Sequence, residues 1–99
     1  MRLTWKREAD ERGLAGTAQG PRGYELNLGP HKAIIHVAMI RRNFNEYGGW
    51  YYYGSSKELG IPHVNTASTP PFAALEDAKA SAEKYVRECL YKVAMEKDR

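Results

Sequence analysis

The chain has 99 residues, of which 42% are hydrophobic and 27% are charged, and its formal net charge is +3. This length suits a single domain with one thin core, and the patterned apolar blocks exclude disorder throughout the chain. The longest apolar run, residues 33–40, is too short to cross a membrane. We therefore expect one domain over residues 1–99 and no membrane association.

Cys89 is the only cysteine, so no disulfide can form within the chain and nothing indicates an oxidising compartment. The charged residues 1–12 contain no apolar signal-peptide segment. These features predict a cytoplasmic protein. Residues 1–50 hold eight Lys/Arg against five Asp/Glu, whereas residues 51–99 hold seven of each. A mild basic excess of this kind is compatible with a polyanion partner but does not establish one.

Short strands dominate the first half of the chain. Residues 3–9 alternate weakly and predict an edge strand anchored by Trp5, and the glycine-rich residues 9–22 predict a loop. Three further strands follow at residues 23–29, 32–42 and 50–56. Because the turns between them are short, the pattern favours an antiparallel meander.

The register of this meander can be predicted from its apolar residues. Pairing Leu26 with Ile35 and Arg41 with Trp50, so that Met39 meets Tyr52, gives one wholly apolar or aromatic face. It consists of Tyr24, Leu26, Leu28, Ala33, Ile35, Val37, Met39, Trp50 and Tyr52. The other face consists of Glu25, Asn27, Lys32, Ile34, His36, Ala38, Ile40, Arg42, Tyr51 and Tyr53. A slip by one residue in the second hairpin would exchange the two pairs of aromatic residues.

The second half of the chain changes from strands to a helix. Residues 56–72 are predicted to be a loop, since Pro62, Pro70 and Pro71 disfavour regular structure. A helix is predicted from about residue 75 to 95, with one apolar stripe: Leu75, Ala78, Ala82, Tyr85, Val86, Cys89, Leu90 and Val93. We expect an α+β fold, in which a three- to four-stranded antiparallel meander carries one long C-terminal helix on one face.

Several residues resemble a family of small phage and prophage proteins. Members combine an early tryptophan, aromatic strands ending in glycine, and a Thr–Pro–Phe segment that leads into a helix beginning Leu–Glu–Glu–Ala–Lys. This chain is similar at Trp5, Trp50, Gly54, Pro71, Phe72 and residues 75–79, and differs at Asp77 and at Ala74, where a capping Ser or Thr is usual. The resemblance implies a fold and a phage or prophage origin rather than a mechanism.

A weaker similarity links the chain to the three-strand-plus-helix DNA-binding domains of tyrosine recombinases and plant ethylene-response factors. The strand order and the helix start at residues 74–80 are similar. Those domains place an arginine-rich sheet face in the major groove of DNA. Here Lys32 and Arg42 lie at strand ends, and Glu25 would face phosphate, so the similarity is an analogy of fold.

Catalytic and metal sites are not indicated. The three histidines (His31, His36 and His63) lack the spacing of a metal site, and Cys89 falls on the apolar helix stripe, where a thiol is usually buried and inert. No phosphate-binding loop is present, because the glycines of residues 13–20 are not followed by Lys-Ser/Thr. We predict a protein that is not an enzyme and has no metal and no cofactor.

The second sheet face is the candidate site. Three interpretations compete: the N-terminal loop with Leu14 covers it, a second copy or another protein binds it, or nucleic acid binds it through tyrosine stacking and Lys/Arg contacts to phosphates. We favour a binding or accessory module acting by protein–protein interaction, with nucleic-acid binding as the alternative. The predicted binding residues are Lys32, His36, Ile40, Arg41, Arg42, Tyr51 and Tyr53.

Overall fold

The computed structural model describes residues 2–7, 23–43, 46–67 and 70–97, without the side chains of residues 40–47 and 97. Within this part of the chain five strands precede one helix: β1 (Leu3–Arg7), β2 (Gly23–Leu28), β3 (His31–Asn43), β4 (Glu46–Ser56), β5 (Ile61–Asn65) and α1 (Leu75–Lys97). The strands form one antiparallel sheet in the order β1-β2-β3-β4-β5. The predicted α+β meander is confirmed, with five strands in place of three or four. The predicted loop at residues 9–22 lies outside the described residues.

The strand β5 corrects the prediction that residues 56–72 form a loop. Ile61 pairs with Ser56, Val64 with Gly54 and Asn65 with Tyr53, with a bulge between the first two pairs. Pro62 is tolerated because β5 is an edge strand, where a missing amide hydrogen costs little. The main chain then continues along β4: Thr66 N donates to Tyr52 O at 3.0 Å, and Phe72 forms an isolated antiparallel bridge with Trp50.

The predicted register holds in part. Leu26 pairs with Ile35 as predicted, whereas Trp50 pairs with Met39 and Tyr52 with Val37, two residues away from the predicted partners. β4 begins at Glu46 rather than at residue 50, so the strands of the second hairpin continue into residues 43–49, which were predicted to form the turn. A shift of two residues keeps every side chain on its predicted face, since side chains alternate with period 2.

A bulge at the start of β3 explains the other difference in register. A regular ladder continued from the predicted pair of Leu26 and Ile35 would place Leu28 opposite Ala33, but Leu28 pairs with His31, and the ladder shifts between Leu26 and Leu28. Ala33 has a φ of 53°, and its N–H donates to Oδ1 of the buried Asn27 at 2.6 Å. This side-chain bond satisfies the donor that the bulge removes from the ladder.

Helix α1 packs across the sheet through small residues. Ala78, Ala82 and Val86 are fully buried and contact a core that includes Leu26, Ile35, Val37 and Tyr52, while Leu75, Tyr85, Cys89 and Leu90 pack at its border. The small alanine side chains allow close approach of the helix to the strands. The apolar stripe is confirmed, and the helix extends two residues beyond the predicted end. It therefore covers one face of the sheet, and the candidate site lies on the other face, where Ile34 and Asn27 are nevertheless buried, at 3% and 5% exposed.

Candidate functional site

The side chains of β4 divide between the two sheet faces. Tyr52 is 7% exposed, and its hydroxyl lies 3.0 Å from Ser81 Oγ on the helix. Since successive strand residues point to opposite faces, Tyr51 and Tyr53 lie on the face away from the helix. His36 pairs with Tyr53, and Ala38 pairs with Tyr51, on the same face.

One row of side chains crosses all five strands on this second face. Cα pairing joins Lys6 to Glu25, Glu25 to His36, His36 to Tyr53 and Tyr53 to Asn65. Lys6 and Asn65 at the two ends are exposed, whereas the three central residues are half-buried. Directly opposed side chains in an antiparallel sheet are close enough to interact, so this row forms one continuous surface.

Three rings of this face form a stack, which we call the aromatic cluster: His36, Tyr51 and Tyr53. The His36 and Tyr53 ring centroids lie 5.1 Å apart with an interplanar angle of 16°. The Tyr51 and Tyr53 centroids lie 5.7 Å apart at 26°. Beside the cluster, Tyr51 pairs with Ala38, which in turn pairs with Gly23. Two of the residues in line with Tyr51 on β3 and β2 are therefore small.

The structure thus brings together three of the seven predicted binding residues. Lys32 is exposed and lies beyond the bulge, four residues before His36 in the chain, so it is not part of the cluster. The side chains of Ile40, Arg41 and Arg42 are outside the described part of the structure. The N-terminal loop with Leu14, predicted as one cover for this face, is also outside it.

Lys6 and Glu25 belong to the same row and were not among the predicted site residues. The sequence carried a signal for them, because β1 was predicted as an edge strand and Glu25 was placed on the second face. Only the pairing of β1 with β2 puts Lys6 opposite Glu25. Together they give the cluster a charged border of both signs.

The opposite face contains a second aromatic group, which the helix covers. Lys79 Nζ lies 4.1 Å from the Tyr24 ring centroid and 5.5 Å from that of Trp5. The Trp5 Nε1–H donates to Glu83 Oε1 at 3.3 Å. The side chains of Lys79 and Glu83 are only 18% and 27% exposed, although both residues lie outside the apolar stripe of the helix. Glu83 Oε2 also lies 4.0 Å from Arg87 Nη1, four residues further along the helix.

Cys89 and Tyr85 are neighbours on the inner side of the helix. Burial and a hydrogen bond with Cys89 raise the pKa of Tyr85 to about 12 from its ordinary value of 10.0. The Tyr85 hydroxyl donates to Pro62 O at 2.8 Å. At neutral pH Tyr85 is therefore a neutral donor that ties α1 to β5, and it cannot serve as a base for the thiol.

His31 has a structural partner at one end of the sheet. Its Nδ1 lies 3.2 Å from Glu58 Oε2, which joins the β2–β3 turn to the β4–β5 turn. Among the described residues, no group of three or more His, Cys, Asp or Glu side chains could hold a metal ion. The same part of the chain contains no helix with the length and apolar character needed to cross a membrane.

Comparison with known proteins finds no matching family model, no match among curated proteins and no match among solved structures.

Proposed function

We propose that this chain is a non-enzymatic binding module and that the sheet face opposite the helix docks on a protein partner through the aromatic cluster. The observation that carries the proposal is the ring stack of His36, Tyr51 and Tyr53 within a row that ends in exposed polar residues. Tyrosine is enriched at protein interfaces, where a few aromatic anchors inside a polar rim supply most of the binding energy.

The arrangement of the rings supports a protein partner over nucleic acid. A base stacks on an open ring face, and Tyr53 already stacks against two neighbouring rings. Glu25 lies next to His36 in the same row and would repel a phosphate backbone. A protein surface can instead contact ring edges, hydroxyl groups and the small residues beside Tyr51.

Nucleic-acid binding remains the second candidate because exposed cations lie on both sides of the cluster. Lys6 ends the row on β1, and Lys32 is exposed at the start of β3. With a net charge of +3, these side chains would contact phosphates while Tyr51 contacts a base. In this case binding should weaken steeply as salt rises, because counterions are released.

The inference that the module is not an enzyme rests on the surroundings of its cysteine. The described neighbour of Cys89 is Tyr85, whose raised pKa keeps it protonated at neutral pH. A thiol without a base is a weak nucleophile. We further propose a phage or prophage origin, from the resemblance of residues 71–79, and a cytoplasmic location, from the single cysteine.

The experiment compares two tyrosines with different positions. Tyr51→Ala removes part of the cluster, and Tyr91→Ala removes a tyrosine that is 67% exposed on the helix, which packs on the opposite face of the sheet. Light scattering of each variant reports self-association, and affinity capture with wild-type chain as bait reports other proteins. Gel shifts with single- and double-stranded probes at several salt concentrations report nucleic acid.

We expect a protein contact that Tyr51→Ala weakens and Tyr91→Ala leaves unchanged. Equal effects of Tyr51→Ala and Tyr91→Ala would show that the aromatic cluster does not take part in the interaction. A salt-sensitive gel shift at micromolar protein that Tyr51→Ala abolishes would replace the proposal with the nucleic-acid alternative. A monomer that captures nothing and shifts no probe would contradict both.

A further inference from the structure

The outer face of α1 carries an exposed apolar patch. Among the large hydrophobic side chains that the structure describes, only Tyr91 and Met95 are mostly exposed, at 67% and 52%. They lie four residues apart, so their side chains are neighbours on one side of the helix. The core side of α1, with Ala78, Ala82 and Val86, packs on the sheet. By helical periodicity the patch lies on the opposite side and faces away from the sheet.

A row of charged side chains, which we call the charged row, runs beside this patch at a spacing of four residues. Its members alternate in sign and are all exposed: Lys84, Glu88, Lys92 and Glu96. Within the described residues, no ion pair involves any of these four side chains. Arg87, in contrast, lies 4.0 Å from Glu83 and belongs to a pair within the helix. The charges of the row are therefore available to a partner.

An open groove of about 470 Å³ lies along this face. It is lined by Lys84, Glu88 and Lys92 of the charged row and, on the neighbouring row, by Arg87 and Tyr91. Side chains at four-residue spacing form ridges on a helix, and the ridges of one helix pack into the grooves of another. The face therefore has a shape that a second helix can fill.

The signs of the charged row identify the helix that fits as a second copy of α1. In a twofold pair of antiparallel helices, the same row of each copy lies beside its counterpart and runs in the opposite direction. Reversal about the midpoint of the row places Lys84 opposite Glu96 of the second copy, and Glu88 opposite Lys92. Each of these pairs occurs twice. A displacement by four residues would place like charges opposite each other, so the charges also select the register.

The same arrangement brings the apolar patch into the contact. The midpoint of the charged row is at position 90, so Tyr91 meets Tyr91 of the second copy close to the twofold axis. Met95 lies at the height of Lys84 of the second copy and can pack on its aliphatic stem. Burial of these side chains supplies attraction. The ion pairs select the orientation, because exposed pairs contribute only about 0–1 kcal/mol each.

We propose that a second copy of this chain binds the outer face of α1, so that the two helices pack antiparallel about a twofold axis near residue 90. The contact is one helix wide, and we expect a weak dimer with a dissociation constant of about 0.1–1 mM. The aromatic cluster lies on the other side of the sheet, so the inference does not depend on its proposed function. At low micromolar concentration the chain is monomeric, and Tyr91 substitutions there remain controls for other surfaces.

The test reverses charges within the row and measures self-association of the full chain by sedimentation velocity from about 10 µM to 1 mM. Glu88→Lys and Lys92→Glu each place like charges opposite each other in a pair of identical chains. Asp77→Lys is the matched control, because it makes the same change of charge at an exposed helix position outside the row. Circular dichroism checks that each variant keeps its helix.

We expect Glu88→Lys and Lys92→Glu each to weaken self-association by about fivefold or more, and Asp77→Lys to change it by less than about twofold. An equimolar mixture of the first two variants should associate as well as the wild-type chain, because every charge of one row then meets an opposite charge on the other. Such recovery cannot arise from a change within one helix. Tyr91→Ala should weaken the dimer by about tenfold, and Tyr51→Ala should leave it unchanged.

Three results would overturn the inference. The first is a chain that stays monomeric up to about 1 mM at low salt. The second is a mixture of Glu88→Lys and Lys92→Glu that associates no better than either variant alone. The third is self-association that Tyr51→Ala abolishes and Tyr91→Ala does not, which would place the dimer contact on the aromatic cluster and leave the proposed function of that face intact.

Discussion

The two faces of β4 use tyrosine in different ways. On the helix side, Tyr52 is almost fully buried, its hydroxyl meets Ser81 Oγ, and its ring stacks on Phe72 at 6.1 Å between centroids. On the other side, Tyr51 and Tyr53 are half-buried and stack on each other and on His36. Neighbouring residues of the same type therefore serve a core on one face and a surface on the other.

This difference shows that a run of aromatic residues in a strand needs two separate explanations. The rings on the helix side are accounted for by burial, since removing them would leave a cavity. The rings on the second face do not belong to that core, so they are the part of the run on which the proposed binding function rests. The predictions below test this division, starting with the largest expected effect.

Tyr52→Ala should destabilise the protein far more than Tyr51→Ala. We expect the first to cost about 3–5 kcal/mol, as for other large-to-small changes of buried aromatic residues, and the second to cost less than about 1.5 kcal/mol. Urea unfolding, followed by circular dichroism, measures both, and Tyr91→Ala serves as an exposed control. A loss of about 3 kcal/mol or more for Tyr51→Ala would mean that another part of the chain covers the second face, as the N-terminal loop hypothesis states.

Gly54→Ala should disrupt the close approach of β4 to β3 that fixes the register of these two strands. Gly54 has a φ of 150°, and a Cβ at this position would clash with the carbonyl oxygen of Ile34. The strands would have to separate, and we expect a loss of about 1–3 kcal/mol in the free energy of unfolding. Ser55→Ala, at the next and exposed position, should change stability by less than about 0.5 kcal/mol. Equal stability of both variants would show that the backbone adjusts at no cost.

Much of the fold could be predicted from the sequence because local patterns determined it. The period-2 alternation gave the correct face for every residue of the aromatic run, and the 3.6-residue stripe gave the helix. The sequence does not predict β5 because Pro62 disfavours a strand within a sheet. Pro62 is tolerated only at a sheet edge, and the position of β5 at the edge follows from the strand order, not from local sequence. The register at the start of β3 differs because its bulge depends on the hydrogen bond from Ala33 N to Asn27 Oδ1, which no periodicity indicates.

The candidate site was predictable in part for the same reason. His36, Tyr51 and Tyr53 follow from strand alternation alone. Lys6 and Glu25 join them only because β1 pairs with β2. The chain between these two strands, residues 8–22, is long, so periodicity within each strand does not predict that they pair. Regular alternation along β3 predicts Lys32 on the same face as His36, whereas the bulge at the start of β3 separates Lys32 from the aromatic cluster.

Lys79→Met should lower the stability of the protein by removing a contact between the helix and the sheet, without changing the second face. The substitution keeps the apolar stem that lies over Tyr24 and Trp5 and removes the ammonium group 4.1 Å from the Tyr24 ring centroid. We expect a loss of about 0.5–2 kcal/mol in stability, the range of a cation–π contact in a partly buried site. Lys84→Met, at an exposed helix position, is the matched control in urea unfolding. Equal free energies of unfolding for Lys79→Met and Lys84→Met would show that the Lys79 ammonium group adds no stability through the two rings.

Tyr85→Phe should reveal the contact between α1 and β5 through its dependence on pH. Because the folded pKa of about 12 exceeds the ordinary 10.0, the unfolded chain releases the Tyr85 proton first as pH rises. The stabilisation is therefore complete below pH 10 and is lost as pH rises towards 12.

The wild-type chain should then exceed Tyr85→Phe in stability at neutral pH by about 0.5–1.5 kcal/mol, the value of one hydrogen bond, here the one to Pro62 O. This difference should shrink between pH 10 and 12. Tyr91→Phe corrects for the lysines and other tyrosines that titrate in this range, since Tyr91 is exposed. A difference that stays constant across the range would mean that Tyr85 ionises equally in both states, and the link between α1 and β5 would then rest on packing alone.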